Sequence, residues 1–450
     1  MRDLAKSALT FPWALSMTGV QQVVNLVVPP AGGWIHEVAA ALDAVTTRTE
    51  SELDGWLDAV LDAGDSVASH LRHMSASRLP SLDSSGLMRA AINPHLSPLL
   101  AVTSDYGVLP AAELDALRLP AEYRSAALQE CRNKLRAIQQ LTQMRRDLKL
   151  DDADRTAIGV LVDRAAGVPA DARLAAIEAV GTHAGQLALD ESGGDPQDVL
   201  TDDSTKDLPA WSLTLLHAGV GASFANAVLA KLTPGSSGDH VRHAVTRFSA
   251  LCRRSARRGY IGAMVESFGM VARLLYQEMV PRLDREIRRT ELEMRGFFWH
   301  GVGRATYIDP LALLPSQSER RQLIIKLRQE AGDDEAYADA LAGVGWALAW
   351  TNVGSPEVID LFLRHHAVPT RSRAAFVSGI SSAIVVLRDA HPDDSRVMPF
   401  VTHAPNDADA AAAWAATVTA PCQAALERAA VELPQTCTVG QLFRYRSTQA

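Results

Sequence analysis

LPAWSLTLLHAGVGASFANAVLAKL, residues 208–232, is the stretch on which the fold turns. It is an apolar run whose centre, HAGVGASFA at 217–225, returns as WHGVGRATY at 299–307 and LAGVGWALA at 341–349. Glycines two apart followed by alanine let helix backbones approach closely, so three copies point to corresponding turns of a duplicated helical bundle. Their unequal spacing argues against a solenoid. Working outward, helical periodicity marks 111–150, 153–189, a long pattern up to Arg295, then 317–331, 334–351, 355–366, 371–389 and 408–432. Few stretches alternate apolar and polar residues over strand lengths. The expected fold is mainly α: a multi-helix bundle in two regions, behind an amphipathic, apolar N-terminal segment.

The punctuation divides the chain further. Residues 7–35, SALTFPWALSMTGVQQVVNLVVPPAGGWI, carry no charge and follow Arg2 and Lys6. Pro12, Gln21, Gln22, Asn25 and the Pro29–Pro30 pair interrupt them, which disfavours a membrane span and favours a short helix buried in protein or laid on a lipid surface. Phe11, Trp13, Leu15, Val23, Val24 and Val27 are the expected membrane contacts. With the amphipathic helices that follow, this makes a unit over 1–74; prolines and serines mark a connector over 75–110. A helical region over 111–190 and an acidic linker over 191–207 then lead to a larger helical domain over 208–450.

Composition narrows the chemistry. Of 450 residues, 47% are hydrophobic and 21% charged, an ordinary globular mixture able to bury a core without disulfides. The net charge of −8 offers no whole-molecule attraction to nucleic acid, so no nucleic-acid partner is expected. Cys131, Cys252, Cys422 and Cys437 stand apart, without C-x-x-C spacing, which fits the reducing cytoplasm. No phosphate-binding G-x-x-x-x-G-K-[ST] and no G-x-S-x-G occur. GVGASF at 219–224 has two glycines of a dinucleotide loop, but Phe224 replaces the third and no βαβ unit follows. No cofactor is indicated. The pairs His70/His73 and His240/His243 lack a third ligand, and no metal site is expected.

Two constellations remain. DHVRHAVTRFSALCRRSARRGY, residues 239–260, is a basic amphipathic helix. Arg253, Arg254, Arg257 and Arg258 on its charged half are candidate anion ligands, since guanidinium grips phosphate or carboxylate with a fork of donors. The plainer reading is a solvated face paired with acids elsewhere. In TELEMRGFFWHGVGRATYIDP, residues 290–310, acids, a histidine and arginines crowd around Phe297, Phe298 and Trp299. His300 is the candidate proton-transfer group, Glu291 and Glu293 its candidate orienting acids, and Arg304 the candidate anion holder. The plainer reading is a helix end with an aromatic anchor.

The start of the chain, residues 1–73, resembles the phasins, helical proteins that coat polyhydroxyalkanoate granules. The resemblance lies in FPWALSMTGVQQVVNLV at 11–27 followed by an Ala/Asp-rich helix. It implies peripheral association with a lipid, polyester or membrane surface, and it carries over no catalytic residue. The other expectation, from the region after residue 208, is an enzyme or carrier of lipid or secondary metabolism. It would bind a hydrophobic small molecule with an anionic end between apolar walls that include Trp346 and Trp350.

Overall fold

The computed structural model describes the chain from Ala126 onward, except for parts of 127–146 and the stretches 151–154, 309–316, 366–369, 437–438 and 447–450. The expected surface contacts Phe11, Trp13, Leu15, Val23, Val24 and Val27, the helices over 35–74 and the connector over 75–110 lie outside the described residues.

The described residues are helical, with no strand among them. The helices are α1 (Ile158–Ala166), α2 (Arg173–Glu191), α3 (Ala210–Leu229), α4 (Gly238–Ser255) and α5 (Ile261–Leu275). Next come α6 (Val280–Thr290), α7 (Arg295–Ile308), α8 (Gln317–Ala331), α9 (Asp334–Thr351) and α10 (Pro356–His365). The chain ends with α11 (Thr370–Ala390), α12 (Val397–Val401), α13 (Ala408–Trp414), α14 (Ala420–Thr436) and a 3-10 turn at Val439–Phe443. Local chemistry starts several of them. Ser237 accepts from the His240 N–H at 3.3 Å, Asp333 from Ala336 at 2.9 Å and Asp407 from Ala410 at 2.8 Å, each satisfying a first-turn donor. Gly332, at φ +75°, breaks the chain between α8 and α9.

The repeated glycine pairs explain the architecture. Helices α2, α3, α5, α7, α9 and α11 stand side by side in chain order. Two residues along a helix turn it by roughly 200°, so the glycines of G-x-G face opposite sides. In each of the three copies the first glycine meets the preceding helix of the row and the second meets the following one. Gly219 abuts Glu178 of α2 and Gly221 abuts Met264 of α5; Gly301 abuts Glu266 of α5 and Gly303 abuts Ala340 of α9; Gly343 abuts His300 of α7 and Gly345 abuts Phe376 of α11. A β-carbon at any of these six glycines would overlap the neighbour's backbone. Helices nearer the ends need only one such face. On α2, Gly181 and Gly185, four apart and so on one side, both meet α3, and on α11 Gly379 meets Ala342 of α9.

Neighbours in the row run the same way: on α7 and α9, Gly296, Arg304 and Tyr307 meet Asp339, Trp346 and Asn352 in that order. Parallel neighbours require a returning connection, and α4, α6, α8 and α10 supply it. The row helices are buried almost all round, whereas α4 hides Val241, Val245, Phe248, Leu251 and Cys252 and exposes arginine. The row also curls, so that α3 touches α11 and Thr214 Oγ1 donates to Asp389 Oδ2 at 3.4 Å. Helix α3, with α3's apolar length alone among the described helices sufficient to cross a membrane, is buried within this row.

The acidic stretch 191–207, expected to link two regions, instead joins two helices, α2 and α3, that pack directly on each other within one continuous core. Its polar composition reports exposure rather than separation. Arg254 pairs with Asp195 at 2.5 Å, and Arg247 and Arg257 donate to the carbonyls of Gly194 and Leu200 at 2.7 and 2.8 Å, holding the loop on the helices.

Candidate functional site

The glycine contacts bring charge into the middle of the row. Glycines at 301 and 343 seat α7 close between α5 and α9, and the residues flanking those contacts are Glu266, His300, Arg304 and Trp346. His300 and Arg304 are four apart and share a face of α7. Glu266 of α5 binds both: Arg304 Nη1 donates to Oε2 at 2.7 Å, and His300 Nδ1 lies 3.1 Å from Oε1. The guanidinium of Arg304 lies over the Trp346 ring, 3.8 Å from its centroid, and Trp346 stacks in turn on Trp350. Glu266, His300 and Arg304 are 0%, 1% and 4% exposed.

Glu266 accepts from the arginine with one oxygen and faces the imidazole with the other, so His300 carries its proton on Nδ1 and a lone pair on Nε2. Burial holds the imidazole below its ordinary pKa, outweighing the bond to Glu266, so the ring is neutral near pH 7. Its Nε2 is buried and has no partner among the described residues, and the same is true of Trp346 Nε1. A fourth titratable group lies close by. Burial pushes the carboxyl of Glu178, on α2, up to about 7; the positive charge of Arg304 opposes the rise and the negative charge of Glu266 adds to it.

Other buried polar groups show what a purely structural arrangement looks like here. His217 is also fully buried, yet its Nδ1 donates to the Leu213 carbonyl at 2.6 Å and its Nε2 accepts from the Arg257 N–H at 3.0 Å. Arg295 is forked between Asp284 and Asp333, and Trp299 Nε1 donates to Asp284 at 2.7 Å. Tyr307 donates to Glu130 at 3.0 Å and accepts from Asn352 at 2.9 Å. In these networks the ring nitrogens and hydroxyls are used up. His300 keeps one nitrogen in reserve, which is the pattern of a base held in a fixed orientation.

Of the residues expected from the sequence, His300 and Arg304 come together, and Glu291 and Glu293 do not join them. Glu291 faces the other way and pairs with Arg253 at 2.5 Å, while the charge of Glu293 acts on Arg253 and Arg444. The 3-10 turn Leu292–Met294, which follows Glu291 and contains Glu293, precedes α7 and carries both acids outward. The orienting acid is Glu266, on a different helix. Arg304 holds that acid rather than an open anion site. Of the arginines on and after α4, Arg253 and Arg254 bind Glu291 and Asp195, Arg257 binds the backbone of Leu200 and Thr205, and Arg258 is exposed. They act mainly as ties between α4 and its surroundings.

Glu266 and Glu178 had a signal in the sequence. Glu266 is the lone acid of IGAMVESFGMVARLL, and Glu178 is the one acid of RLAAIEAVGTHAGQLALDE before its last two residues, each inside an apolar stretch with no solvated face. Among the described residues, no group of three or more His, Cys, Asp or Glu could hold a metal ion. A separate cavity of about 290 Å³ opens between the ends of α2 and α3 and the side of α4, lined by Leu189, Val228, Leu251, Lys231 and Arg247, remote from His300 in sequence and on other helices. Comparison with known proteins matches no family model, no curated protein and no solved structure.

Proposed function

We propose that the helical row houses an acid–base site for a small, largely apolar molecule, in an enzyme or a carrier. In this reading His300 Nε2 accepts a proton or hydrogen bond, Glu266 fixes the ring, and Arg304 holds Glu266. The single observation that carries it is the fully buried, oriented and unpartnered Nε2 of His300. Leaving such an atom unsatisfied costs about 1–3 kcal/mol. His217 avoids that penalty. His391, at the end of α11, shares it at Nδ1 but has no carboxylate among the described residues orienting its ring, its Nε2 meeting Arg173 at 3.0 Å. Trp346 and Phe443 supply apolar surface at 6.5 and 6.2 Å from the imidazole, between ring centres. Because Glu266 already neutralises Arg304, the polar end of the molecule is a neutral donor, such as a protonated acid or a hydroxyl, rather than the anion expected from sequence.

His300→Asn tests this: the asparagine amide keeps a donor toward Glu266 and removes Nε2. Small apolar acids and phenols that raise the melting temperature of the parent should fail to raise that of the variant, while the unliganded proteins melt alike. Equal stabilisation of both by every such compound would sink the proposal.

The surface-association reading belongs to other residues and is compatible with this one. A lipid or polyester contact would fall to residues 7–30, which are uncharged and largely apolar beside Arg2 and Lys6. Deleting residues 1–33 should abolish flotation with liposomes or granules; unchanged flotation would reject the contact.

A further inference from the structure

Phe443 touches the site from outside the row. It belongs to the C-terminal 3-10 turn Val439–Phe443, which packs on α5, α7 and α11. Its side chain is buried, with its ring 6.2 Å from that of His300 at 84° and 6.1 Å from that of Trp346. The attachments of residues 439–446 to the row are few and local. Gly440 donates to the Gly259 carbonyl at 2.8 Å, and its own carbonyl presses on Gly262. The Tyr445 N–H donates to Asp339 Oδ1 at 2.8 Å, and Arg444 lies over the Phe297 ring at 4.9 Å. These contacts fall near the starts of α5, α7 and α9, so the segment is laid across one end of the row instead of threaded through it.

A segment that merely completed the core would match the chemistry beneath it. This one does not. A phenyl ring neighbours both His300 and Trp346, whose Nε2 and Nε1 have no partners, and it can satisfy neither nitrogen. Nε2 wants a donor and Nε1 wants an acceptor, and a carboxylic acid or a phenol offers both on a flat apolar body.

We infer that residues 439–446 form a removable plug that occupies the His300 site, with Phe443 standing where the ring of a small aromatic acid or phenol binds. The inference rests on the reading of His300 given above and adds the ligand class and the gate. Binding then requires the segment to lift, and the ligand competes with the protein's own C-terminal residues.

The test uses the full-length chain carrying Gly440→Val and Phe443→Asp. A β-carbon at 440 would come within 2.6 Å of the Gly259 carbonyl oxygen and 3.0 Å of the Gly262 nitrogen, and a carboxylate at 443 has no partner among the rings, so the segment cannot seat. Diethylpyrocarbonate at pH 7 reports access to neutral imidazole, resolved residue by residue by peptide mass. The expected result is that His300 reacts at least tenfold faster than in the parent, that His217 keeps the parent's rate, and that millimolar phenol slows the reaction at His300. An unchanged rate at His300 overturns the plug. Equal acceleration at His300 and His217 means that the fold has opened, and it also overturns the plug. Acceleration confined to His300 without protection by phenol overturns the ligand class. Failure of the acid–base reading shows separately, in the His300→Asn comparison, which leaves the C-terminal segment untouched.

Discussion

Helices α4 and α7 both carry arginines, and the fold treats them in opposite ways. On α4 the guanidinium groups stand at the surface or half-buried, and they reach loops and acids across solvent-facing gaps. On α7, Arg295 and Arg304 are enclosed, each tied to carboxylates from other helices. The same residue type therefore fastens a loop in one place and organises a buried site in the other. Position in the row makes the difference: α4 is an outer connection with one apolar face, whereas α7 has α5 and α9 against its two glycine faces.

Substitutions should separate the two regions by size of effect. The largest is expected from Glu266→Ala, which strips the partner from buried Arg304 and from His300 together; breaking a buried pair this way costs about 3–5 kcal/mol. Urea unfolding measures it, and a loss below about 1 kcal/mol would mean that water reaches the cluster and that α7 resembles α4 after all. Gly303→Ala should follow, destabilising by at least about 1–3 kcal/mol, because the new β-carbon overlaps the Ala340 carbonyl and the two helices must part. Gly159→Ala on α1 is its control: nothing lies within 4 Å, so stability should hold or rise by up to about 1 kcal/mol.

Glu178→Gln should act through pH. The folded carboxyl titrates at about 7, above its ordinary 4.5, so the folded chain holds a proton that the unfolded chain has released across that window. Stability therefore falls as pH rises from about 4.5 to about 7, and this term then levels off. Glutamine removes the term, so the variant should match the parent at pH 4.5 and exceed it by about 3 kcal/mol at pH 8. Thermal unfolding at the two pH values decides, and a pH-independent difference would place Glu178 in contact with solvent. The smallest effect belongs to α4: Arg253→Ala should change stability by no more than about 1 kcal/mol, and 1 M salt should erase the difference. A larger, salt-resistant loss would dissolve the contrast between the helices.

Much of the scaffold was legible in residue order. Ser237, Asp333 and Asp407 sit where helix starts were expected, and the periodic stretches 317–331 and 334–351 coincide with α8 and α9. Helical period and capping are local properties, so local sequence carries them. The repeated G-x-G also identified close helix contacts, although not which helices would meet. The site was half legible. His300 and Arg304 are four apart on one helix, a relation that sequence displays directly. Glu291 and Glu293 were near in number and turned away in space, because a 3-10 turn resets the direction of the chain before α7. Glu266, 34 residues before His300, could be paired with it only by the packing of α5 on α7.

By itself, then, the sequence determined the helices, their apolar and charged faces, and the glycine positions at which backbones can touch, since each follows from residues within a few turns of one another. Tertiary structure alone decided that those glycines align six helices in one curled row, that Glu266 and Glu178 converge on Arg304, and that Phe443 covers His300. Such pairings depend on which backbones approach each other across long loops. The pKa of each buried group depends in turn on the charges that this approach brings near, a many-body outcome that no local pattern encodes.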